Sequence, residues 1–156
     1  MRRLAVAALI FCAATTSACG STVTGNPVAD AAVVAERKAA VQKSACGDYS
    51  VAALRAADSY RAMNTANVAG SPELLRFVAD AAAAMRASAD TAEAAAKGKD
   101  TLLGDVAAKL RAYAAASRTL AAEIERWPGL RSPNDMNRAA GERDNAVRAA
   151  TGACYR

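Results

Sequence analysis

This sequence predicts an all-α fold, an antiparallel up-and-down helical bundle of four main helices closed by one disulfide. Three observations predict it. Apolar residues recur at intervals of three and four, and no segment shows sustained alternation. Alanine, the strongest helix former, supplies about 45 of the 156 residues. Cys46 and Cys154 stand as an even pair in the body of the chain, behind a start that reads as an export signal.

Residues 1–18 come first. Arg2 and Arg3 precede an uncharged run from Leu4 to Ala14, about eleven residues and too short for a bilayer of roughly 30 Å. It reads as a signal peptide. Thr16, Ser17 and Ala18 are small, as a signal peptidase groove requires, and Cys19 follows directly. The stretch T-S-A-C-G-S resembles a bacterial lipobox, although Thr16 replaces the usual Leu. Cys12 is a poor rival because Leu9, Ile10 and Phe11 before it are bulky. The resemblance implies an acylated Cys19, a protein anchored to the extracytoplasmic face of the cell membrane, and partners near that surface. Ordinary secretory cleavage after Ala18, leaving a free thiol, is the competing reading. The Arg2-Arg3 pair also suggests twin-arginine export, but the flanking pattern is incomplete.

Residues 19–27 form a short tether, which extends to at most about 25 to 29 Å over Gly20 to Pro27. Its segment T-V-T-G-N-P-V looks like that of small actinobacterial lipoproteins of the mycobacterial type. The bundle domain then occupies 28–156. Two readings stay open for 28–45: an extra helix packed through Val34 and Val41, or a partly ordered arm.

The main helices are expected at 49–68, 72–97, 101–127 and 133–151. Tyr49, Ala53, Ala56, Tyr60 and Met63 stripe the first. Ser71 with Pro72 starts the second, whose seam runs Leu75, Val78, Ala82, Met85, Ala89, Ala92, Ala96 and tapers to alanine. Leu103, Val106, Leu110, Tyr113, Ser117, Leu120, Ile124 and Trp127 give the third an unbroken heptad seam with one polar member. Ser132, Pro133 and Asp135 open the last, whose stripe of Met136, Ala140, Val147 and Ala150 is interrupted by Gly141 and Arg143. Gly70, Gly98 and Pro128-Gly129 supply stops. With helices alternating in direction, the start of the first and the end of the fourth share one end of the bundle, so Cys46 meets Cys154 there.

Several chemistries lack residues. The chain has no histidine, which removes Ser-His-Asp triads, di-iron bundle sites and attached haem. Phosphate-binding glycine loops and calcium loops are missing too. No catalytic residue, metal or cofactor is expected, and the acid pairs Asp90/Glu93 and Glu123/Glu125 read as solvated surface groups. Removing residues 1–18, which carry Arg2, Arg3 and no acid, lowers the net charge from +5 to +3. Bases and acids are interspersed, so nucleic-acid binding is not expected.

One end of the bundle collects Asn64, Asn67, Trp127, Asn134 and Asn137, a candidate interaction surface whose bland alternative is helix capping with an aromatic lid. The functional expectation is a non-enzymatic accessory module of the cell envelope, meeting an envelope protein or lipid. The alternative is a carrier that holds a lipid or other apolar ligand between alanine-lined helices.

Overall fold

A computed structural model describes residues 31–127 and 134–156. Four helices follow in order: α1 (Ala31–Val68), α2 (Leu74–Ala96), α3 (Asp100–Arg126) and α4 (Asn134–Cys154). They form the expected up-and-down bundle, and the described residues contain no strand. Cys46 and Cys154 are bonded, with their Cα atoms 5.7 Å apart. The signal peptide, Cys19, the tether, Pro128-Gly129 and Ser132-Pro133 lie outside the described residues.

The expected break between 28–45 and 49–68 is absent, and one helix of 38 residues runs straight through Gly47. Glycine inside a helix costs about 1 kcal/mol relative to alanine. Here Ala45, Cys46 and Tyr49 bury the same face on either side of it, so packing overrides propensity. Of the two readings of 28–45, the helical one holds from Ala31 and packs through Val41, but it is no separate helix and Val34 stays exposed. Residues 31–40 are helical yet exposed throughout, and burial begins only at Val41 and Gln42. Gln42 Nε2 donates to the Cys154 carbonyl at 3.0 Å, fixing the start of α1 to the end of α4.

The turns are built from local chemistry. Gly70 adopts φ +63°; its N–H donates to the Asn67 carbonyl and that of Ser71 to the Ala66 carbonyl, the paired bonds of a Schellman motif. The second helix begins at Leu74, two residues later than expected, because the Ser71 hydroxyl accepts from Glu73 N–H within a preceding turn. Its seam is also shifted at the start. Leu75 is 68 % exposed, and Val78 is the first buried member. Gly98, at φ +68°, reverses the chain into α3.

Alanine sets the spacing of the bundle. Ala81, Ala82, Ala89, Ala92 and Ala96 of α2 are fully buried, as is Ala121 of α3, with Ala107 and Ala114 nearly so. Small side chains there let the two helix backbones approach closely. The α3 seam buries every expected residue from Leu103 to Ile124, and Trp127 caps it half-buried. Packing is continuous from α1 to α2, α2 to α3 and α3 to α4, whereas α1 and α4 meet only briefly. The ring of helices is therefore loosest along that last seam.

Candidate functional site

Two apolar clusters fill the bundle. One, at the disulfide end, gathers Tyr49, Val106, Leu110 and Tyr113 with many alanines. The other, at the opposite end, gathers Met63, Val78, Met85, Leu120, Ile124 and Met136. Between them Ser88, Ser117 and Arg143 are buried, at 2 %, 0 % and 6 % exposure. A polar layer thus crosses the middle of the molecule.

Arg143 projects from α4 into this layer. Its Nη2 donates to the Ala53 carbonyl of α1 at 3.2 Å and to the Tyr113 hydroxyl of α3 at 3.4 Å. The Tyr113 hydroxyl donates in turn to Ser88 Oγ of α2 at 3.0 Å, and Ser88 Oγ donates to the Met85 carbonyl. The donors all run one way, from a cation to a backbone carbonyl, an order in which each bond polarises the next. All four helices contribute. The guanidinium also lies 5.5 Å from the Tyr113 ring centroid, and Tyr49 meets that ring edge-on at 4.9 Å.

The layer is only partly satisfied. A guanidinium carries five N–H donors, and Arg143 Nε is buried with no hydrogen-bond partner among the described residues. Nη1 has the Asp144 carboxylate at 3.6 Å, beyond hydrogen-bond range, and that carboxylate is 62 % exposed. Ser117 Oγ is likewise buried without a partner. Burial pushes the hydroxyl pKa of Tyr49 up, as it does that of Tyr60, in each case against a side-chain hydrogen bond that lowers it.

Arg143 also forms part of a groove on the loose α1–α4 seam. Tyr49, Ala53, Leu54, Ala57 and Val147 line it, and Ser50 and Thr151 close it toward the disulfide. Its volume is about 270 Å³, just below the roughly 300–1,000 Å³ found for small-ligand clefts. Leu54 is 66 % exposed along its rim. By contrast, the alanine seam of α2 expected to open for a ligand is closed, since Ala82, Ala89, Ala92 and Ala96 are fully buried.

The predicted interaction residues do share one end, because α1 and α3 finish and α4 begins there. Asn64 hydrogen-bonds Tyr60 on its own helix. Asn67 lends its carbonyl to the Gly70 turn. Trp127 packs on the second cluster, and Asn134 and Asn137 are exposed. Of the bland alternative, the aromatic lid corresponds to the packing of Trp127. Sequence reasoning missed Val68 and Leu75, exposed by 87 % and 68 % at the same end.

The acid pairs are held in ion pairs. Arg118 bridges Asp90 and Glu93, Arg126 meets Glu123 and Arg86 meets Glu125. Among the described residues no three cysteine or carboxylate side chains converge as metal ligands, and no described helix is long and apolar enough to cross a membrane.

The family model of the Rv2240c four-helix bundle domain matches residues 28–155. No curated protein and no solved structure matches the chain.

Proposed function

This chain belongs to the Rv2240c four-helix bundle domain family, and from that premise we propose that it is a membrane-anchored, non-enzymatic accessory module of the cell envelope. The mycobacterial name of the family fits the actinobacterial resemblance of residues 1–28. The observation that carries the reading is the bond between Cys46 and Cys154 across 108 positions. Such bonds persist in oxidising compartments outside the cytosol, which supports export, and the lipobox-like stretch supplies Cys19 as the anchor.

In this arrangement lipid on Cys19 holds the disulfide end toward the membrane. The exposed helical turns of residues 31–40 act as a stem, and the opposite end faces outward. Val68, Leu75 and Trp127, rimmed by Asn64, Asn67, Asn134 and Asn137, then form the contact surface for an envelope protein, an apolar patch with a polar rim. A second reading, a module that holds a lipid-like ligand, is favoured by the groove between α1 and α4.

Metabolic labelling with a clickable fatty acid, followed by crosslinking and affinity purification, tests the first reading. Wild type incorporates label and fractionates with membranes, and Cys19→Ala loses both. A Leu75→Arg/Val68→Asp variant keeps its helicity and loses the crosslinked partner. Label that persists in Cys19→Ala refutes the anchor, and an undiminished partner in the surface variant refutes the contact surface.

A further inference from the structure

We propose that the groove between α1 and α4 binds a fatty carboxylate, with its head on Arg143 and its chain over Ala53, Leu54 and Val147. Three observations converge on that class of ligand. First, the groove lies on the seam where the bundle is least closed, and its walls are mostly apolar apart from Arg143 and, toward the disulfide, Ser50 and Thr151. Second, Arg143 is 6 % exposed and lines the groove, yet among the described residues its Nη1 meets an acid only at 3.6 Å, in the largely exposed Asp144. A desolvated guanidinium whose Nη1 lacks a partner at hydrogen-bond distance is matched by an anion, and a carboxylate supplies the charge-assisted acceptor. Third, the groove has room for a chain: its volume of about 270 Å³ lies just under the roughly 300–1,000 Å³ of small-ligand clefts, the scale of a carboxylate with a medium-length alkyl chain.

Arg143 keeps its existing bonds in this complex. Nη2 stays on the Ala53 carbonyl and Tyr113, while the carboxylate accepts from Nη1 and displaces Asp144 from it. Asp144, already largely in solvent, turns outward. Ala53 and Ala57 matter because they are small, and larger side chains there would fill the trough. The site does not depend on the anchor at Cys19, so it stands or falls separately from the function proposed above.

Decanoate is the probe, titrated by calorimetry and by thermal shift into the oxidised full chain, with decanol and inorganic phosphate as controls. One decanoate binds per chain, raising the melting temperature in a saturable way. Decanol, which lacks the charge, and phosphate, which lacks the chain, each bind at least about tenfold more weakly, the scale of one charge-assisted hydrogen bond. Asp144→Asn binds decanoate as well as wild type or better. Arg143→Gln loses binding by a similar factor or more. Ala57→Phe, a half-buried position that tolerates the change, blocks the trough while leaving Arg143 in place, and it decides the matter if Arg143→Gln does not fold. Equal binding of decanol or of phosphate overturns the proposal. So does undiminished binding in folded Ala57→Phe, or no binding of decanoate below its micellar range.

Discussion

Breaking the Cys46–Cys154 bond is the perturbation whose size follows most directly from the structure. The bond joins residues 108 positions apart, and loop-closure entropy for such a ring contributes about 4.7 kcal/mol, all of it through the unfolded chain. Both cysteines are buried, at 3 % and 7 % exposure, so reduction leaves two thiols packed where they were and alters native contacts little. Unfolding entropy of about 2.1 cal/mol/K per residue, over the domain matched from 28 to 155, converts that loss to a fall in melting temperature of roughly 17 °C. Circular dichroism at 222 nm, with and without reductant and on the Cys46→Ser/Cys154→Ser variant, measures it. Urea unfolding provides a second reading: the uncrosslinked denatured chain exposes more surface, so the m-value rises on reduction. A fall of less than about 5 °C with an unchanged m-value refutes the reasoning, because it means that packing alone holds the two ends together.

Three further outcomes follow from individual residues. Ser117→Ala removes a fully buried hydroxyl that has no partner among the described residues and stabilises by about 1 kcal/mol; a loss of stability in chemical denaturation would show that the hydroxyl is bonded after all. Gly47→Ala, with nothing within 4 Å of the added carbon, stabilises α1 by about 0.5–1 kcal/mol, whereas Gly70→Ala, at φ +63°, destabilises by about 1–2 kcal/mol; equal effects in parallel melts would contradict the two backbone conformations. In alkali, the raised hydroxyl pKa values of Tyr49 and Tyr60 mean that the folded state prefers the neutral phenol. Their contribution is complete below about pH 10 and is lost as pH rises through the folded values. Absorbance at 295 nm should show these two tyrosines titrating late and together with unfolding, and ordinary titration of all four would count against their burial.

Much of the fold was legible because apolar periodicity and turn residues agreed. The seam of α3 read correctly from Leu103 to Trp127, and the antiparallel order with a shared end for Cys46 and Cys154 followed from it. Gly47 misled because its intrinsic propensity argues for a stop, while burial on both sides of it argues against one, and only the tertiary contacts reveal the second. Leu75 misled by one position, since Leu74 and Leu75 fit the seam about equally until the Ser71 turn fixes where α2 begins.

The polar layer was half visible. Ser117 stood out in the α3 seam. Arg143 read as an interruption because of its charge, although it falls seven residues after Met136 and seven before Ala150, in register with the buried stripe. Register was the better guide. The groove itself had no signal in the sequence, because it arises from unequal packing among four helices, and such distances are not written in any one of them.

The crosslink also decides how the molecule bears tension. A pull applied between the segment before Cys46 and the segment after Cys154 travels through two sulfur atoms, so the chain between them forms a slack covalent circuit that carries no load. An external tug on the tails would strip the exposed turns of residues 31–40 and little else, leaving the polar layer and its groove mechanically sheltered.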